Sequence, residues 1–210
     1  MADPAIIIGD EAVIPTLRRM ELERERLIEA ITWADGERAL CTANDAKGFD
    51  LIMMNARLGR ALRDQFAGDR WQADETDNQP GIFNPHLKLR VIPCNFDENA
   101  GNPLADPANL REKGTASNSK TLCNSTLWIP GLEPKEEDQD DECQTYILGT
   151  HLDDNNVLRA ELSRPIIFAS GRFVRFKPRI ILLDGTRDVE TRDKRDRAPT
   201  DDIDITIRRK

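Results

Sequence analysis

Two periodicities divide this chain. Between residues 15 and 66 the apolar side chains recur at helical spacing, and in several separate segments between residues 87 and 183 the pattern is that of strands. A helix buries a stripe that returns every 3.6 residues and a strand buries every second residue, so each pattern suits one conformation and exposes apolar surface in the other. The order of the two patterns predicts an α+β fold: N-terminal amphipathic helices packed on a mainly antiparallel sheet formed by the C-terminal two-thirds. At 210 residues the chain suits one domain with appendages. We place that domain at residues 1–183, a charged linker at 184–201 and a terminal strand at 202–210.

The first helix is expected over about 16–34. Leu17, Met20, Leu27, Ile28 and Ile31 form its stripe, and arginine and glutamate alternate on the outer face. Pro15 suits its first turn and Asp35-Gly36 its end. The second helix is expected over about 49–66, with Leu51, Met54, Leu58, Leu62 and Phe66 inward. Gly59 in its middle suggests a close packing contact. Ala5–Ile8 reads as a short strand or an anchoring arm, and Leu87–Val91 as a half-buried strand after a loop at 74–86.

Further along, residues 95–117 are rich in Asn, Asp, Pro and Gly and read as a long loop, the first place to seek a site. Thr121–Trp128 is expected to be extended. Gln144–His151 and Val157–Ser163 flank Asp153-Asp154-Asn155-Asn156, a composition that favours tight turns, and so form a hairpin. Ile166–Phe168 and Phe173–Phe176 form a second hairpin about Ala169–Arg172, and Arg179–Leu183 reads as a buried strand.

Charge is segregated along the chain. Glu133, Glu136, Glu137, Asp138, Asp140, Asp141 and Glu142 are opposed locally only by Lys135. Just downstream, Arg159, Arg164, Arg172, Arg175, Lys177 and Arg179 are opposed only by Glu161. The bland account is an acidic solvated loop beside polar strand faces, and the sharper one is a basic surface that steers an anionic partner. The excess of arginine over lysine fits the coding bias of a GC-rich genome, bacterial or phage-like.

Motifs for chemistry are weak. Gly114-Thr115-Ala116-Ser117-Asn118-Ser119-Lys120-Thr121 approaches the phosphate-cradling loop, but Ser119 stands where the second glycine should let the backbone wrap a phosphate. The S-x-x-K run Ser117–Lys120 lacks the companion motifs of serine acyl enzymes. Cys41, Cys94, Cys123 and Cys143 are scattered without paired ligand spacing, so free thiols and no zinc are expected, with His86 and His151 satisfied by backbone. Asp97, Glu98, Asp153, Asp154 and Glu161 sit at strand ends and loops, where a metal-dependent nuclease keeps its acids. Whether they meet in space is left to the structure.

No run of about 18 apolar residues exists to span a bilayer. The N-terminal residues lack the basic start and apolar length of a signal peptide, so a cytoplasmic location and no membrane partner are expected. The function that fits best is a non-enzymatic interaction or assembly subunit, without cofactor, that self-associates or holds a protein partner. Its interaction element is the terminal strand with Ile203, Ile205 and Ile207 on one face. The alternative is a nucleic-acid-binding protein or metal-dependent nuclease using the basic 159–179 face. Arg159, Arg172, Arg175, Lys177 and Arg179 would then meet phosphate, and Phe173 and Phe176 would stack on bases.

Overall fold

Residues 5–68, 70–126 and 143–186 are described by a computed structural model. A seven-stranded sheet runs through them in the order β1-β7-β6-β5-β4-β3-β2. The strands are β1 (Ile6–Ile7), β2 (Gln72–Asp74), β3 (Gly81–Asn84), β4 (Leu89–Asn95), β5 (Gln144–Leu152), β6 (Leu158–Ala169) and β7 (Arg172–Leu183). The helices are α1 (Asp10–Arg19), α2 (Arg24–Arg38), α3 (Phe49–Phe66) and α4 (Thr115–Thr126). The fold is α+β, but the sheet is mixed rather than mainly antiparallel. β4 pairs β5 in parallel over seven residues, and β1 pairs β7 in parallel. The chain between β4 and β5 includes α4, and alternation within a single strand does not report the direction of its pairing.

The predicted helix over 16–34 is two helices. Glu21 adopts φ 56°, a left-handed conformation that cannot continue a helix, and Leu22 donates back to the Leu17 carbonyl. The turn is fixed from outside: Trp71 Nε1 donates to the Glu21 carbonyl at 3.0 Å and Asn84 Nδ2 to its carboxylate at 2.9 Å. Pro15 lies inside α1 rather than in its first turn, and Gly36 lies inside α2, which continues to Arg38. In α3 the expected stripe is inward: Met54, Leu58, Leu62 and Phe66 are buried and Leu51 is half-buried. Gly59 packs against Pro80, where a Cβ would meet the Pro80 carbonyl at 3.5 Å.

Two apolar clusters follow from the alternation. In β5, Tyr146 and Leu148 join α1–α3 on one face, with Leu158, Ala160, Leu162, Ile180 and Leu182. Ile147 points the other way and joins Ile92, Cys94, Phe96, Ala100, Phe173 and Phe176. This second face is covered by residues 96–114 and α4, so the helices are not all N-terminal. Thr121–Thr126, expected as extended, is helical, and its Asn124 explains why. Asn124 Nδ2 donates to the carbonyls of Thr145 (2.9 Å) and Pro165 (2.8 Å), and its Oδ1 accepts the Thr145 amide at 2.9 Å. β5 and β6 pair only as far as Ile147 and Ser163, so this amide bridges the gap where they part. The loop expected at 74–86 contains β3 and the last residue of β2, both strands too short to show a period, so the sheet begins well before residue 87.

The acidic segment 133–142, most of the charged linker 184–201 and the terminal strand 202–210 lie outside the described residues. No helix among the described residues is long and apolar enough to cross a membrane.

Candidate interaction surface

The basic strand residues are dispersed by the register. Arg179, a candidate binding residue, is 2% exposed and faces Glu161, which is fully buried. Its Nε donates to Glu161 Oε1 at 3.0 Å, its Nη2 to Oε2 at 2.6 Å and its Nη1 to the Ala105 carbonyl at 2.6 Å. Glu161 also accepts the Gly101 amide at 2.8 Å and the Ser163 hydroxyl at 2.6 Å. A desolvated charge persists only when paired and hydrogen-bonded, and both members meet that condition here. The pair therefore fastens residues 101–106 onto the sheet, and neither charge faces a partner.

Three more arginines are used in the same way. Arg159 Nη1 donates to the Glu98 carbonyl at 3.1 Å, while its Nε is buried without an acceptor. Arg164 donates to the Lys177 carbonyl at 2.8 Å and to Gln144 at 3.1 Å. Arg172 donates to the Asn109 carbonyl at 2.7 Å. The Arg175 side chain is exposed and makes no hydrogen bond or ion pair with a described residue. Phe173 and Phe176 are 2% and 3% exposed, and Phe176 meets Phe96 edge-on at 5.4 Å, so neither ring is presented to a base. Three arginines on α3 are also paired: Arg57 with Glu37 at 3.3 Å, Arg60 with Asp64 at 3.3 Å, and Arg63 with Glu75 at 3.1 Å.

The carboxylates do not converge. Asp97 Oδ1 accepts the Asn99 amide, Asp153 Oδ1 accepts the amides of Asn155 and Val157, and Glu161 is held by Arg179. Among the described residues no three His, Cys, Asp or Glu side chains gather. The near-match to a phosphate loop is helical from Thr115, and Lys120, 6% exposed, is bound to Asp77. His151 Nδ1 lies 3.1 Å from the Phe96 carbonyl. The described cysteines are free thiols, and burial pushes Cys94 and Cys143 up to about 11, far from a reactive thiolate.

Among the grooves these elements leave open, one adjoins the outer side of β7. It holds about 580 Å³ and is lined by Ala5, Ile6, Leu104, Ile167, Arg175 and Lys177, among others. Leu104 is 93% exposed and Ile167 is 45% exposed. Beside it runs the outer edge of β7. β1 covers only Arg179 and Ile180, and no described strand pairs with residues 172–178 on that side. The polar loop 95–117 contributes one wall of this groove through Pro103, Leu104, Ala105 and Asp106. Phe96, Leu104 and Leu110 are the large apolar residues of this loop; Phe96 is buried, and Leu104 is the most exposed of the three. No protein-family model, curated protein or solved structure matches this chain.

Proposed function

We propose that this chain is a non-enzymatic interaction or assembly subunit of a bacterial or phage-like system, acting in the cytoplasm on a protein partner or a second copy. The observation that carries the reading is the stretch of β7 from Val174 to Pro178, whose outer side no described strand pairs, beside a groove with an exposed Leu104 wall. A free edge offers main-chain donors and acceptors, and an adjoining apolar groove adds side-chain specificity, the combination used in recognition by added strands. The alternating sequence of Ile203, Ile205 and Ile207 is the interaction element this reading assigns to the chain itself.

The nucleic-acid alternative, with or without a nuclease metal, keeps less support. Arg159, Arg172 and Arg179 each donate to the protein's own groups, and both phenylalanines lie in the core. Arg175 and Lys177 line the groove.

The test is association measured by light scattering and by co-purification with host proteins, for the native chain and for Leu104→Asp and Ile167→Asp. Both positions are exposed, so these variants should keep the native circular dichroism and lose the same specific complex. A complex untouched by either change would refute the reading.

A further inference from the structure

The geometry points to a modification site where α4 meets the start of β5: Cys123 and Cys143 join in a reversible disulfide when a peroxide reaches the protein. The site lies apart from the groove beside β7, so it is tested independently of the interaction role.

The fold brings the two thiols together from both sides. Asn124 binds the amide and the carbonyl of Thr145, each at 2.9 Å, which fixes α4 one side chain away from β5. Cys123 adjoins Asn124, and Lys120, one turn earlier on the same helix surface, is bound to Asp77. The side of α4 that carries Lys120, Cys123 and Asn124 therefore faces the sheet. Cys143 stands two residues before Thr145 and four before Ile147, so it continues the alternation on the face that α4 covers. Its thiol interacts with Cys123 and Lys120 of α4, and with Asp74 and Arg90 of the neighbouring strands. Both cysteines are half-buried, whereas Cys94 is enclosed in the core and Cys41 lies in the connection between α2 and α3.

Burial keeps the Cys143 thiol protonated, so Cys123 is the sulfur that reacts first. Its thiolate attacks one oxygen of the peroxide, the O–O bond breaks, and a sulfenic acid and water result. Cys143 then attacks the sulfenic sulfur. The S–O bond breaks, and the hydroxyl leaves as water with the Cys143 proton. Two thiols are oxidised, one peroxide is reduced, and two waters form. The bond closes a ring of about 20 residues that includes the acidic run from Glu133 to Glu142. Closing that ring restricts the unfolded chain, so oxidation stabilises the native state. In a reducing compartment such a pair responds to oxidant and is reset by thiols.

The experiment treats the full chain with hydrogen peroxide and maps its peptides without reductant. One cross-link should appear, Cys123 to Cys143, with Cys41 and Cys94 still open to alkylation after unfolding, and dithiothreitol should remove it. The thiol–disulfide equilibrium is then measured against glutathione in native buffer and in concentrated urea. It should favour the bond roughly a hundredfold more in the folded protein, because the native state has already brought the sulfurs together. Oxidation should raise the urea midpoint of the native chain. Cys123→Ser and Cys143→Ser should keep the native circular dichroism, form no internal bond and show no such rise. Equal equilibrium constants in the folded and unfolded chain, or a midpoint lowered by oxidation, would overturn the inference. So would a cross-link to Cys41, a bond between two molecules, or a Cys123 that ends as a sulfinic acid or a glutathione adduct with Cys143 still reduced.

Discussion

At the scale of single residues, the molecule depends on a few polar side chains that stand in for missing backbone partners. Asn84, Asn109 and Asn124 are all fully buried. Asn109 accepts the Phe173 amide at 2.7 Å and donates to the Gly171 carbonyl at 3.0 Å, tying the loop to the β6–β7 turn. Asn124→Ala should strand the Thr145 amide and two carbonyls and cost about 1–3 kcal/mol in urea unfolding, the range for an unsatisfied buried polar group. The Glu161–Arg179 pair sets a larger scale. Arg179→Ala leaves a buried carboxylate without its cation and should cost about 3–5 kcal/mol. Replacing both members by leucine should cost less than the single change, because no lone charge remains. A double variant worse than Arg179→Ala would mean that the pair does more than neutralise itself.

At the scale of elements, the corner joining β2, β3, β4 and α4 is pinned by charge. Burial pushes the Asp74 carboxyl up, but hydrogen bonds from Thr76 and Arg90 outweigh it and hold Asp74 below the usual range. The Lys120 ammonium holds Asp77 below that range as well. Both folded values lie below the unfolded ones. The stabilisation is therefore complete above the ordinary aspartate value of about 3.9 and disappears as pH falls through the lower folded values. Urea midpoints should be flat near neutrality and drop below about pH 4. Asp74→Asn should be less stable than the native chain at pH 7, with the difference shrinking toward pH 3. A difference that grows on acidification would reverse the sign and refute this assignment.

At the scale of the whole molecule, the question is whether the surplus arginines form a field or a frame. Each phosphate contact with duplex DNA contributes roughly 0.9 to the slope of log K against log salt. With Arg159, Arg172 and Arg179 bound to the protein's own groups, the native chain should show no tight, salt-sensitive binding to DNA or RNA by fluorescence anisotropy. Arg172→Ala/Arg175→Ala/Lys177→Ala should leave what weak binding exists unchanged. A steep slope that this triple variant flattens would establish the nucleic-acid reading instead.

Periodicity alone determined the class of this fold. The stripe of α3, the β5–β6 hairpin and the strands at 166–168 and 173–176 are local patterns, each demanding one conformation to bury its own apolar face. Segregated charge was equally legible, since it is only a count along the chain. Tertiary structure decided the rest. The break at Glu21 is imposed by Trp71 and Asn84, some 50 and 63 residues away. The helix at 115–126 is held by backbone groups of β5 and β6, which no local propensity encodes. The parallel pairing of β4 with β5 depends on a crossover, and alternation within a strand is the same for either direction. Arg179 carries the same charge as Arg175, but register sets one against Glu161 in the interior and leaves the other at the groove. Charge is a property of a residue, whereas exposure belongs to the whole arrangement, so the site could be composed only once the strands had been aligned.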